Sequence, residues 1–178
     1  MAQIISFINS KGGSGKTTLA FSIAVYWDKI GKHVLLVDAD PQASLMTLYS
    51  VREQKGNMEA ISLPMNRLEA RVVSEQKSGS HDVIIIDTPG RLAEIQPAID
   101  VSDVIVIPVQ ASGADYFAFQ RVFKQCRTGK GNIVLVPNRV KTVSDAETVV
   151  PTLQTLSEGK ASIADGIGDR VNHRKWTV

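Results

Sequence analysis

The stretch Gln3-Ile4-Ile5-Ser6-Phe7-Ile8-Asn9-Ser10-Lys11-Gly12-Gly13-Ser14-Gly15-Lys16-Thr17-Thr18 decides the fold. An apolar run of strand length leads straight into a glycine-rich loop. The apolar residues beyond it, Leu19, Ile23, Trp27 and Ile30, recur at helical spacing until Gly31 stops the pattern. Strand, glycine loop and helix in that order are the setting in which a phosphate-binding loop works. The glycines let the backbone curl so that several N–H groups face one anion, and the helix N-terminus adds its positive end. Gly12, Gly13, Ser14, Gly15 and Thr18 form the expected cradle, Lys16 is expected to reach the β- and γ-phosphates, and Thr17 to place its hydroxyl on magnesium. A glycine-rich surface turn without a ligand is the plain alternative, and the run Gly15-Lys16-Thr17-Thr18 at a strand–helix junction argues against it.

Outward from this loop, short β-branched runs alternate with helical patterns, the signature of a parallel sheet covered on both faces. Strands are expected at Gln3–Asn9, His33–Asp38, Glu59–Leu63, Asp82–Asp87, Asp103–Val109 and Asn132–Pro137, with a weaker one near Ala161–Ala164. The first helix should run to about Ile30, and others are expected near Ala43–Ser50, Arg67–Lys77, Leu92–Val101, Ala114–Arg127 and Asp145–Ser157. Val51–Met58 is polar and without period, which reads as a loop. The expected fold class is therefore α/β, a P-loop domain with a mostly parallel twisted sheet and helices on both faces. Residues 1–178 are expected to form one such domain, with no repeat or linker to divide them.

The composition agrees. Hydrophobic residues make up 43% and charged residues 21%, and no apolar stretch approaches the roughly 20 residues that a membrane-spanning helix needs. Met1-Ala2-Gln3 lacks the basic start of an export signal, and the lone Cys126 can close neither a disulfide nor a structural zinc site within the chain. A cytoplasmic location is the expectation. Cys126 reads as a small apolar side chain on a helix.

Two carboxylate motifs complete the expected site. Val34–Val37 delivers Asp38-Ala39-Asp40-Pro41-Gln42 at the carboxyl end of a strand, where open α/β sheets bind their ligands. Two acids at i and i+2 can serve the metal and the attacking water, and Asp40 can also cap the helix that follows Pro41. Val83–Ile86 then runs into Asp87-Thr88-Pro89-Gly90, an apolar strand closed by an acid that would hold magnesium through water, beside a glycine able to offer its N–H to a γ-phosphate.

The loop departs from the common G-x-x-x-x-G-K-[ST] pattern. Ser10 stands where glycine is usual, and a second lysine, Lys11, precedes Gly12-Gly13. In this it resembles the deviant Walker A motif of the ParA/MinD family of ATPases, closest to small ParA-type partition ATPases. The resemblance extends to Asp38-Ala39-Asp40-Pro41-Gln42, to Asp87, to Pro108-Val109-Gln110-Ala111-Ser112 with Asp115 after it, to Asn138, and to Gly168-Asp169-Arg170-Val171. It implies Mg-ATP as ligand and a homodimer in which Lys11 reaches across to the phosphates held by the other subunit. It further implies a catalytic part for Lys11, Lys16 and Asp40, a metal-side part for Asp38 beside Thr17 and Asp87, and Asn138 at the adenine edge. A turn-forming role for Asn138 stands beside that.

By the same resemblance the ATP dimer binds DNA non-specifically, is nucleoid-associated, and works with a centromere-binding ParB-like protein or an adaptor to segregate or position a plasmid, chromosome or other cargo. The net charge of +2 is small, but its distribution is uneven: from Tyr116 to Ser144 there is no Asp or Glu. Arg121, Lys124 and Arg127 fall at i, i+3 and i+6 of one expected helix, while Arg170, Arg174 and Lys175 form a second cluster. Such residues bind phosphates without reading bases. A solvated basic face is the plain alternative. No helix-turn-helix segment precedes the first strand, and His173–Val178 is too short for the amphipathic membrane helix of a MinD-like ATPase, so DNA is expected and a membrane is not. An ATP-dependent small-molecule enzyme on the same scaffold is the remaining rival, and Lys11 would be superfluous there.

Overall fold

The computed structural model describes residues 1–54, 56–110, 112–140, 143–164 and 167–168. In chain order the elements are β1 (Gln3–Phe7), α1 (Lys16–Lys29), β2 (Val34–Asp38), α2 (Ser44–Ser50), β3 (Met58–Ser62), α3 (Leu68–Ser78), β4 (Val83–Asp87), α4 (Gln96–Val101), β5 (Val104–Val109), α5 (Gly113–Cys126), β6 (Asn132–Val140), α6 (Val143–Ser157), β7 (Ser162–Ile163) and β8 (Ile167–Gly168). The expected α/β architecture is present. All strand pairs are parallel, in the order β3-β2-β4-β1-β5-β6-β7, and β8 pairs with β6.

The central strands are apolar throughout because both of their faces are covered. Val-Leu-Leu-Val of β2 and Val-Ile-Ile-Ile of β4 are buried at every position. Successive side chains alternate between two cores: Leu36, Ile85 and Phe7 pack with Leu19, Ala20, Phe21 and Ala24 of α1 and with Leu45 of α2. Leu35, Val37, Ile84 and Ile86 face the other way, onto Leu68, Val72, Ile99, Phe119, Val122 and Leu153. Thus α1 and α2 cover one face, and α3 to α6 the other.

One detail of α1 differs from the expected stripe. Ile30 is half-exposed at the C-cap, and Ile23 and Trp27 are partly buried, while the closest packing is made by Ala20 and Ala24. Small side chains let the helix axis approach the sheet, a preference that spacing of large residues does not reveal. Gly31, at φ 83°, ends the helix as expected.

The topology decides where a ligand can sit. After β1 the chain crosses to β2 and β3, then returns to insert β4 between β2 and β1, and goes on to β5 on the far side of β1. The order of strands reverses beside β1, and the crevice at a reversal point is where open sheets take their ligands. The loops leaving β1, β2 and β4 meet there: Ala39 N donates to Asp87 O at 2.9 Å, and Thr88 Oγ1 donates to Phe7 O at 2.8 Å.

Candidate active site

The β1–α1 loop is held open by glycine geometry. Gly13 and Gly15 have φ of 72° and 100°, which L side chains rarely adopt, and Gly15 is the N-cap residue of α1. A Cβ on Gly15 would also run into the side chain of Asn138. Lys16 opens the helix and is buried, and burial pulls its amine below the ordinary lysine range while Asp87 and Asp40 pull it back. A polyanion bound in the loop would add to the restoring side.

Thr17 and Asp87 are brought together from positions 70 residues apart: Thr17 Oγ1 donates to Asp87 Oδ2 at 2.6 Å. The second oxygen, Asp87 Oδ1, is buried with no hydrogen-bond partner. Burial pushes the carboxyl up to about 7, against the opposing pull of Thr17 and Lys16. An orphaned carboxylate oxygen beside a threonine hydroxyl suits a hydrated magnesium ion, which would favour the ionised acid and supply charge neutralisation to phosphate oxygens. Among the described residues no three His, Cys, Asp or Glu side chains cluster to hold a metal by themselves. That agrees with an ion that takes most of its ligands from water and nucleotide. The Ser14 hydroxyl is a further buried atom without a partner, inside the same loop.

Asp38 and Asp40 divide their work. Asp38 is buried, and its oxygens accept from Asp40 N at 3.2 Å and Met46 N at 2.9 Å, so both are already engaged by the backbone. Burial raises its pKa and those backbone bonds oppose the rise. Its geometry is that of a brace which holds the β2–α2 loop and satisfies an amide in the first turn of α2. Asp40 is half-buried; its Oδ1 accepts from Gln42 N at 3.0 Å and its carbonyl from Ala43 N at 2.9 Å. It lies near enough to act on the Lys16 charge. Of the two acids, Asp40 is the one with a carboxylate oxygen left free among the described residues.

Lys11 is tied within its own chain. Its Nζ lies 2.7 Å from Asp115 Oδ2, and Asp115 is buried at the start of α5, where Ser112 caps the helix and also bonds the same carboxylate. The backbone around it is fixed by Asn9, whose Oδ1 accepts from Lys11 N at 2.9 Å and whose Nδ2 donates to Pro108 O at 2.6 Å. Gln110 Nε2 donates to Gly13 O at 2.8 Å. Sequence reasoning does not single out Asn9 and Gln110 for these bonds. The available signal is their position, each a polar residue at the carboxyl end of an apolar strand.

Asn138, expected at the adenine edge, is buried and donates from Nδ2 to Ser14 O at 2.7 Å, while its Oδ1 accepts from Arg139 N at 3.0 Å. Its amide braces the loop. A cleft of about 450 Å³ is lined by Gly13–Thr18, by Ser44, Thr47 and Leu48 of α2, and by Arg139. Gly12 is exposed at the start of the same loop.

Arg121, Lys124 and Arg127 are exposed at the solvent side of α5, opposite the buried Phe119, Val122, Phe123 and Cys126. The Cys126 thiol is pushed up to about 12 by burial, which makes it the inert core residue expected. Arg170, Arg174 and Lys175 lie outside the described residues. No helix among the described residues is long and apolar enough to cross a membrane.

Known proteins share this fold. The chromosome-partitioning ATPase Soj of Thermus thermophilus is 28% identical over 208 residues, covering 98% of this chain and 79% of its own. Among solved structures, apo McdA of Cyanothece superposes with a TM-score of 0.85 at 18% identity, over 99% of this chain and 90% of that one. The septum site-determining protein MinD of Pyrococcus horikoshii, complexed with Mg-ADP, gives 0.81 at 19% identity, over 99% and 85%. At such identities the structural likeness is one of fold. The family model for the CobQ/CobB/MinD/ParA nucleotide binding domain matches residues 5–176, nearly the whole chain, and it is to this family that the chain belongs.

Proposed function

We propose that the chain is a ParA-like positioning ATPase which binds Mg-ATP in the β1–α1 loop and pairs over the nucleotide with a second copy. As that dimer it binds nucleoid DNA without sequence preference, and hydrolysis releases it. The observation that carries the reading is a complete phosphate site, Lys16 with the Thr17–Asp87 pair and its orphaned oxygen, preceded by a second lysine that this site does not need. Thr17 and Asp87 hold the magnesium, Asp40 orients the attacking water, and Asp38 keeps the Asp40 loop in place. Lys11 exchanges Asp115 of its own chain for the triphosphate in the partner subunit; both are anionic acceptors for one ammonium group, and the exchange couples nucleotide to dimer. The partitioning role of Soj and the positioning role of the wider ParA/MinD group support a plasmid, chromosome or other large cargo, approached through a ParB-like or adaptor protein in the cytoplasm.

Sedimentation with a non-hydrolysable ATP analogue and magnesium tests this reading. The parent chain is expected to double in mass. Lys11→Ala is expected to bind the analogue with unchanged affinity and stay monomeric; a Lys11→Ala dimer as stable as the parent's would remove the mechanism. Asp40→Ala should trap the dimer on DNA with turnover abolished. In a parallel co-sedimentation, duplex DNA and not anionic liposomes should carry the ATP form down, and the opposite result would favour a MinD-like membrane role.

A further inference from the structure

Two side-chain amides grip the phosphate loop from outside the cleft. Gln110, just beyond β5, donates from Nε2 to Gly13 O at 2.8 Å, and Asn138, near the end of β6, donates from Nδ2 to Ser14 O at 2.7 Å. The cleft itself is lined by Gly13–Thr18, and neither amide lines it. The two gripped carbonyls belong to consecutive peptide units, Gly13–Ser14 and Ser14–Gly15, and both units are trans. In a trans peptide the C=O and the N–H point in opposite directions. A carbonyl drawn outward therefore turns the N–H of the same unit inward, so Gln110 sets the Ser14 N–H and Asn138 sets the Gly15 N–H. Among the described residues neither of these N–H groups has an acceptor. The entry of the loop is built the other way: Lys11 N donates to Asn9 Oδ1 at 2.9 Å, which leaves that N–H occupied.

We infer that Gln110 and Asn138 are paired positioning residues, each spending one N–H on a loop carbonyl to aim the Ser14 and Gly15 N–H groups at the bound phosphates. The inference rests on the reading of the cleft as a nucleotide site and deepens it. Each gripped peptide unit adjoins a glycine, Gly13 at φ 72° or Gly15 at φ 100°. Glycine is the residue least able to hold a peptide plane in one orientation by itself. The two side-chain bonds supply the restraint that the glycines give up. Donation to a carbonyl also polarises its peptide unit, which strengthens the N–H at the other end as a donor.

Amide NMR with Mg-ADP and with magnesium tripolyphosphate, which has the anionic tail and no nucleoside, tests it. In the parent chain both ligands should move the Ser14 and Gly15 amide protons downfield, as charged acceptors do. Gln110→Met keeps the side-chain length and lacks the donor. It should lose most of the Ser14 shift, keep the Gly15 shift, and bind both ligands about tenfold more weakly. Gln110→Ala should reproduce this, which separates the lost bond from any effect of the new side chain. Asn138→Ala should give the converse, a lost Gly15 shift and a retained Ser14 shift. A purely structural role would disturb both resonances together. Gln110 is half-buried, and its two variants decide the matter even if Asn138→Ala, at a buried position, fails to fold. A Ser14 shift preserved in both Gln110 variants would overturn the inference, as would ADP affinity lost with tripolyphosphate affinity intact. Tripolyphosphate binding with the expected shifts, in a parent chain that binds neither ADP nor ATP, would support the aimed amides and sink the nucleotide reading instead.

Discussion

The carboxyl edge of β1, β2 and β4 and the outer side of α5 both carry charges on which the proposed function depends, and they are built in opposite ways. At the sheet edge, Lys16, Asp38 and Asp87 are buried, and Asp38 and Asp87 are held by hydrogen bonds from neighbouring loops and helices. On α5, Arg121, Lys124 and Arg127 stand in water on an otherwise ordinary amphipathic helix. A buried charge is costly unless something offsets it, so the buried Lys16 beside the partnerless Oδ1 of Asp87 points to a ligand. An exposed cation costs nothing and by itself points to nothing. The first region argues for its function; the second merely permits one.

The sharpest break in that comparison would come from Lys16. Lys16→Ala should reduce ATP affinity about 100-fold or more, the loss of charged hydrogen bonds in a water-poor loop. Binding by fluorescent ATP analogue measures it, and an effect below tenfold would mean that the buried amine is structural. Gly15→Ala comes next, with a left-handed φ and Asn138 in the way of the new methyl group. We expect it to cost about 2–4 kcal/mol of stability in urea unfolding.

Asp87 offers a test by pH. Its folded pKa of about 7 lies above the unfolded value of 3.8, so the folded state binds the extra proton between them. For an acid shifted this way stability is highest below the unfolded pKa and falls as pH rises towards the folded one. Without magnesium, unfolding free energy should drop by roughly 2–3 kcal/mol between pH 5 and pH 8 on account of this group. Asp87→Asn should flatten that slope while keeping an acceptor for Thr17. Magnesium with ADP should flatten it in the parent chain, and a slope unaffected by both would show that the carboxyl is not the burdened group.

Much of this is legible in the sequence, and the limits have physical causes. Strands β1, β2, β4, β5 and β6 are each apolar runs in a covered sheet, and their positions follow from composition alone to within a few residues. Lys16, Thr17 and Asp87 are legible because each ends or begins an element whose period is clear. What stays hidden is the pairing between loops. Asp38 reads as a metal-side acid by motif, yet its oxygens are used by Asp40 N and Met46 N. Lys11 meets Asp115 from 104 residues away, and Asn138 meets Ser14 from 124. The two-residue strand β8 has no local signal at all, since it exists by pairing with the bulged end of β6. The left-handed Arg139 follows from that bulge, and no propensity announces it.

The smallest effect on the fold, and the one that bears on the weaker half of the comparison, belongs to α5. Removing Arg121, Lys124 and Arg127 together should leave stability nearly unchanged, each within about 0.5 kcal/mol, because exposed charges contribute little. If α5 lies on DNA, the slope of log affinity against log salt should become shallower by about 0.9 for each phosphate that the protein no longer neutralises. The three need not contribute equally. Glu158 is held below the usual carboxylate range chiefly by Lys160, and in smaller part by Arg127, so Arg127 already has an acid nearby. Arg121→Ala and Lys124→Ala should therefore flatten the salt dependence more than Arg127→Ala does. Three equal changes would mean that the DNA backbone displaces Glu158, and a slope unchanged in the triple variant would take α5 out of the DNA surface.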